Sequence, residues 1–256
     1  MHLRVVLLVS ALALCTVTGT QAQPAPSPTD TTMQQRRAIP YPIEPPQGFQ
    51  RAVEQGTRTR SGKPGPEYWT NTAHYTLEAT LDPVAEMLQG TARIRYVNHS
   101  PDTLDQLVVH LRQNVYASGT LRNRTVDVTG GMRIESARLA GEPLQMLDEG
   151  LSPRAQAMGA RSRNAYVVED TRMTISPGAP VQPGDTTTLT IDYHFAVPGK
   201  DNFRMGQDGE TFFLGYWYPQ MAVYDDVHGW RAQPYQGDGE FYMGYADYDV
   251  AITVPA

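Results

Sequence analysis

The chain has 256 residues, with 21 Lys and Arg against 27 Asp and Glu, for a formal net charge of −6. This mildly acidic balance offers no electrostatic footprint for DNA or RNA. The length suits one substantial domain once a leader and a tether are set aside. The single cysteine, Cys15, falls in the leader, which excludes disulfides and thiol chemistry from the rest of the chain.

Residues 1–22 read as a secretory signal. Arg4 gives the positive start, Val5 to Val17 the apolar run, and Thr20-Gln21-Ala22 the small residues where a signal peptidase cuts. The run is too short to span a bilayer, and no later stretch is apolar enough to do so, so the expected product is exported to the periplasm or the medium. Leu14 is not the small residue that a lipid-attachment signal needs before Cys15. Residues 23–65 are rich in Pro, Gln, Ser, Thr and Arg, among them Pro24, Pro26, Pro28, Pro40, Pro42, Pro45 and Pro46. Such a segment buries little and stiffens toward polyproline II, so it reads as a linker.

From Tyr68 the pattern turns to strands. Tyr75, Leu77, Ala79 and Leu81 alternate with His74, Thr76, Glu78 and Thr80, and Asp82-Pro83 ends that strand. Ala92, Ile94 and Tyr96 form a second apolar row opposite Arg93 and Arg95, followed by a turn from Asn98 to Asp102. Leu107, Val109 and Leu111 repeat the arrangement, and Met132 to Leu144 and Ala165 to Ile175 are less regular strands around an exposed loop from Asp148 to Asn164. Pro183-Gly184-Asp185 launches the strand Thr188 to Val197, with Leu189, Ile191, Tyr193, Phe195 and Val197 on its apolar face.

Trp217 to Tyr224 lead into the densest aromatic stretch, where Gly237-Asp238-Gly239 precede a strand from Phe241 to Tyr245. In the last strand Tyr248, Val250, Ile252 and Val254 are expected to form a buried face, with Asp247, Asp249, Ala251 and Thr253 opposite. Strands recur between turns, no helical period is sustained and no repeat is visible. The predicted fold is all-β: an antiparallel β-sandwich or saddle-shaped domain over residues 66–256, preceded by the signal peptide and the Pro-rich linker.

Three strings in the carboxyl-terminal part carry a resemblance: W-Y-P-Q-M-A-V-Y-D-D-V-H-G-W (Trp217 to Trp230), G-D-G-E-F-Y (Gly237 to Tyr242) and Y-A-D-Y-D-V-A-I-T-V-P (Tyr245 to Pro255). Together with H-Y-T-L-E-A-T-L-D (His74 to Asp82) and L-V-V-H-L-R-Q-N-V-Y (Leu107 to Tyr116), this ordered set resembles the amino-terminal domain of bacterial M1-family zinc metallopeptidases, the aminopeptidase N and leukotriene A4 hydrolase group. The resemblance covers Tyr68 to the last residue and does not reach the family's catalytic domain. It implies a zinc-dependent peptidase, most simply an aminopeptidase, as the full-length enzyme. Its partners would be a peptide substrate and the catalytic domain of the same chain, on which this domain would pack while walling the substrate cleft.

The zinc motif of that family, H-E-x-x-H, is absent. The histidines are His2, His74, His99, His110, His194 and His228, and no two are four residues apart. The G-x-M-E-N substrate loop is absent too, so the sequence contributes no catalytic and no metal-binding residue and is expected to be inactive alone. The family's amino-terminal domain commonly contributes a glutamine near the substrate's free amino end. Gln220, inside the matching string, is the candidate for that substrate-binding role, with Gln207 as an alternative register; neither follows the threonine of the family's T-Q motif.

Asp225-Asp226 read as solvated acids of a turn rather than an acid/base pair. Asp247 and Asp249 with Glu240 lack the ligand spacing of a calcium loop. His110 and His194, each on a strand's polar face, have no third metal ligand. Trp217 and Trp230 fit either a core or domain-seam position or an exposed platform for sugars. The second of these defines the alternative function, a non-enzymatic secreted β-sandwich that binds carbohydrate or protein through an aromatic surface.

Overall fold

The computed structural model describes residues 43–147, 164–239 and 242–255. The signal segment, most of the linker, all but Asn164 of the loop predicted at 148–164, and Glu240 and Phe241 therefore lie outside the described residues. In chain order the elements are helix α1 (Gln47–Glu54) and strands β1 (Thr72–Asp82), β2 (Met87–Val97), β3 (Leu107–His110), β4 (Arg133–Leu139), β5 (Glu142–Pro143), β6 (Gln145–Met146), β7 (Ala165–Glu169), β8 (Arg172–Ser176), β9 (Thr186–Ala196), β10 (Met205–Asp208), β11 (Thr211–Leu214), β12 (Gln220–Met221), β13 (Tyr224–Asp225), β14 (Gly229–Trp230) and β15 (Ala246–Thr253).

Two sheets carry the fold. The larger runs β15-β1-β2-β9-β4-β5 and the smaller β12-β3-β8-β7-β6, with two short ribbons, β10-β11 and β13-β14. The two-residue alternation read along β1, β2 and β9 puts Leu77, Ile94 and Ile191 on the inner face of the larger sheet. There they join Leu107, Val109, Met173 and Ile175 of the smaller sheet in one buried core. Full burial of each such aliphatic side chain contributes about 1.5–3 kcal/mol. Among the described residues no helix is long and apolar enough to cross a membrane.

The turns follow their local chemistry. The Asp82 carboxylate accepts the backbone N–H groups of Val84 and Ala85 at 2.9 and 3.0 Å, closing the β1–β2 turn. Gly184 has φ 82°, which only a residue without Cβ adopts freely, and it launches β9 as expected.

Three expectations need correction. The segment read as linker contains α1, because Gln47–Glu54 presents Ala52 as a buried contact that composition alone does not reveal. The strand expected from Phe241 to Tyr245 is absent over 242–245, where the chain is irregular. β15 pairs in parallel with β1 at the edge of the larger sheet, whose other pairings are antiparallel. The face of β15 expected to be buried is also open: Val250 and Ile252 are each 50% exposed, and Tyr248 and Val254 are exposed as well. This row stands beside Tyr75, Leu77 and Ala79 of β1 and extends the core face past the area that the smaller sheet covers.

Candidate functional site

A cleft of about 340 Å³ opens between the segment leading into β1, the β12–β13 stretch and residues 242–246. Trp69, Tyr96, Gln220, Tyr224, Tyr242 and Tyr245 are among its lining residues. A larger hollow of about 500 Å³ lies elsewhere, over Glu78, Thr91, Glu135, Asp192 and His194 on the outer face of the six-stranded sheet. It is an open polar depression, whereas the aromatic cleft holds the predicted site residue.

Gln220 is placed by its neighbours. Tyr216 just upstream has φ 55°, a conformation that costs a non-glycine residue free energy, and the Gln113 amide holds this turn by donating to the carbonyls of Gly215 and Tyr216 at 3.2 and 2.9 Å. β12 then pairs antiparallel with β3, setting Gln220 opposite His110. Gln220 is only 6% exposed, and its Nε2 donates to the Tyr218 hydroxyl at 3.3 Å. The Tyr218 hydroxyl in turn donates to that of Tyr248 at 3.3 Å, and the Met221 N–H donates to the Tyr75 hydroxyl at 3.0 Å. Burial pushes the phenols of Tyr75, Tyr96 and Tyr218 well above their ordinary range, so Tyr75 and Tyr96 at the cleft, and Tyr218 beside Gln220, stay neutral and present hydroxyls rather than charges.

His110 is buried on β3 rather than set on a polar face. Its Nε2 donates to the Arg231 carbonyl at 3.2 Å, which fixes the neutral Nε2–H tautomer. Burial, with Arg112 and Arg172 nearby, lowers its pKa to about 4. His194 belongs to the other sheet, where its Nδ1 meets Glu135 Oε1 at 2.7 Å. The structure does not bring the two histidines together. Asp249 pairs with His74 at 2.8 Å, and the described residues contain no group of three or more His, Cys, Asp or Glu side chains that converge as metal ligands. The described residues do not fit a zinc site.

The Asp225-Asp226 pair is structural, but it is not solvated. Asp225 Oδ1 accepts the N–H groups of Val227 and His228 at 3.0 and 2.6 Å, closing the turn between β13 and β14. The Asp226 side chain is 2% exposed and takes the Arg58 guanidinium through two bonds of 2.8 Å. Burial raises the Asp226 pKa, but the two bonds from Arg58 and its positive charge outweigh it and hold the carboxyl below its usual range. Sequence reading missed Arg58 because it sits in a segment whose composition signals a linker.

Trp217 and Trp230 pack partly buried against the edge of the core. Trp230 is half-buried between Tyr96 and Tyr224, and its Nε1 donates to the Gln106 carbonyl at 3.1 Å. Trp217 is half-buried edge-on to Tyr218. Neither belongs to a flat exposed row of the kind that stacks sugars. Gln207 lies on β10, where its Nε2 donates to the Gly209 carbonyl, and it does not line the aromatic cleft.

The fold and site define a β-rich domain with an aromatic cleft lined in part by a buried glutamine. Among solved structures the chain is similar to the M1 zinc metallopeptidase of Deinococcus radiodurans, at 16% identity and a TM-score of 0.38, over 75% of this chain and 34% of that one. A two-domain M1 zinc metallopeptidase bound to L-arginine gives 17% identity, a TM-score of 0.38 and coverage of 76% and 35%. Legionella pneumophila aminopeptidase A gives 11%, 0.33 and coverage of 56% and 12%. The chain thus spans about a third of the length of the first of these. No protein-family model and no curated protein matches the sequence.

Proposed function

We propose that this chain is the amino-terminal domain of an exported, zinc-dependent M1-type metallopeptidase, an aminopeptidase, that packs on a catalytic domain and walls one side of its substrate cleft. The observation that carries this reading is the uncovered apolar row Tyr248, Val250, Ile252 and Val254 on β15, continuous with the buried row of β1. An aligned aliphatic face of this kind is costly to leave in water and marks a surface built to be covered. The strings that resemble the M1 amino-terminal domain include this very strand, so the cover is the catalytic domain of the same enzyme.

In this reading Gln220 meets the substrate's free amino end. Its Nε2 is engaged with Tyr218, which leaves the amide oxygen to accept from a peptide ammonium. The surrounding neutral tyrosines exclude water without adding charge. Activation of water by zinc would be supplied by the catalytic domain that this reading adds, and the described residues of this chain would hold none of the metal's ligands. The chain's own residues orient the peptide amino terminus and shape the cleft.

The test is made on the native gene product. Its mass, zinc content and hydrolysis of aminoacyl chromogenic substrates are measured on one preparation. The expected result is a product much larger than 256 residues, with about one zinc, activity lost to chelation and a raised KM in Gln220→Ala. A metal-free, inactive product ending near Ala256 overturns the proposal.

A further inference from the structure

Residues 45–70 carry more than the tether role their composition signals. Helix α1 lies so close to the β13–β14 turn that a Cβ at Gly48 would sit 2.2 Å from the Val227 carbonyl oxygen, a contact only glycine permits. After the helix, Thr57 donates its hydroxyl to the Ala52 carbonyl at 3.0 Å, and its amide does the same at 3.0 Å. Arg58 then reaches across 168 residues of sequence to Asp226. Its guanidinium also lies over the Tyr68 ring, 4.7 Å from the centroid. Trp69 follows and stacks on Tyr224 at 5.8 Å, with the ring planes 24° apart.

Arg58 thus holds both ends of one contact: Asp226 on the β13–β14 turn and Tyr68, which lines the cleft beside Gln220. The cleft has three sides. One is the stretch Tyr68–Ala73, one is Gln220–Asp226 and one is Tyr242–Ala246. The Met221 N–H bond to the Tyr75 hydroxyl joins β12 to β1, and the Trp69–Tyr224 stack joins the first side to the second. The fork-to-carboxylate bond adds a directional tie farther out, because a bidentate guanidinium fixes angle as well as distance, and its buried carboxylate is shielded from competing water.

We propose that residues 45–70 form a strap that builds one wall of the Gln220 cleft, with Arg58–Asp226 as its clasp and both residues acting as positioning residues for the peptide's amino terminus. The assignment of the ligand rests on the peptidase reading above. The strap itself does not. Arg58 contacts no substrate; its effect on binding runs through Tyr68 and Trp69.

The test compares the native gene product with Arg58→Ala, Arg58→Lys and Asp226→Asn by hydrogen exchange, and by binding of the tripeptide Tyr-Ser-Ala and its N-acetylated form. In Arg58→Ala and Asp226→Asn, amides of Gln55 to Ala73 and of Tyr242 to Ala246 exchange roughly tenfold faster or more, while those of β2 and β9 are unchanged. Arg58→Lys, which keeps the charge but loses the fork, falls between and serves where Asp226→Asn does not fold. Free tripeptide binds at least tenfold more weakly to Arg58→Ala, and the acetylated form binds poorly throughout. Two exchange outcomes overturn the strap: loosening confined to 45–67, or equal loosening in β2 and β9, which reports global stability instead. Unchanged tripeptide affinity in Arg58→Ala also overturns it. If the exchange pattern is as expected but the tripeptide binds no form of the protein, the strap stands and the peptidase reading falls.

Discussion

Tyr248 lies flat on Tyr75, with ring centroids 4.9 Å apart and planes 9° from parallel, yet Tyr75 is 2% exposed and Tyr248 42%. The two are register partners across the parallel β1–β15 pair. The next pairs on that face, Leu77 with Val250 and Ala79 with Ile252, repeat the contrast between a buried and an open member. The boundary of the core therefore runs between two adjacent strands of one sheet.

That boundary makes opposite stability predictions for paired residues. In the 256-residue chain Leu77→Ala costs about 2–5 kcal/mol, because it leaves a cavity in packed surroundings. Val250→Ser and Ile252→Ser shift stability by about 0.5 kcal/mol or less, as surface changes do. Urea unfolding of the three variants separates the cases. A Leu77-sized loss in Val250→Ser would show that its face is already covered.

The sequence made the core side of this boundary readable and left the other side hidden. Alternation along β1, β2 and β9 located the inner face residue by residue, since each strand has a covered face for its period to record. β15 has the same period, but period reports that a face is apolar and says nothing of whether another layer lies over it. The two-residue strands β12, β13 and β14 are too short for any period, and their placement depends on long-range contacts such as Gln113 with the Gly215 carbonyl. Gln220 was legible only through resemblance to a family. Arg58 was hidden altogether, since its partner lies 168 residues away and nothing local marks the pairing.

His110 predicts a loss of stability on mild acidification. Its folded pKa is lowered to about 4 from an ordinary value of 6.5, first by burial and then by Arg112. Between these values the unfolded chain binds a proton that the folded chain refuses, so stability is full above about pH 6.5 and falls as the pH drops toward 4. A shift of this size corresponds to about 3 kcal/mol at the low end of the window. Denaturant unfolding across pH 4–7 should show this slope in the native sequence and a shallower one in His110→Gln.

Asp192 shifts in the same direction as His110 from the opposite cause, since its charged form is favoured rather than penalised, and its window lies lower. Hydroxyl donors from Ser136 at 2.6 Å and Thr91 at 2.7 Å hold its carboxyl below the usual range. Its contribution is present above the ordinary carboxylate pKa and is lost as the pH falls through the lowered folded value. Removing one donor in Thr91→Val should move the Asp192 titration upward and cost about 1–2 kcal/mol at neutral pH. Carbon-detected NMR titration of the carboxylate reads the first effect; an unmoved midpoint would show that Ser136 alone sets it.

Gly90 and Tyr193 make a linked pair of predictions at the middle of the larger sheet. They are register partners across β2 and β9, and a Cβ at Gly90 would lie 2.9 Å from the Tyr193 hydroxyl and 2.8 Å from the Glu78 carbonyl oxygen. The Tyr193 ring is 1% exposed and closely surrounded, so Gly90→Ala forces a displacement with little room and should cost about 1–3 kcal/mol. The same hydroxyl is buried without a hydrogen-bond partner among the described residues. Tyr193→Phe removes that unsatisfied group and should be neutral or stabilising by up to about 1 kcal/mol. It should also recover part of the Gly90→Ala loss in the double variant, because the atom that the new methyl meets is gone. A double-mutant cycle by urea unfolding measures this. Strict additivity would place the Gly90 constraint on the Glu78 carbonyl, since that contact survives the loss of the hydroxyl.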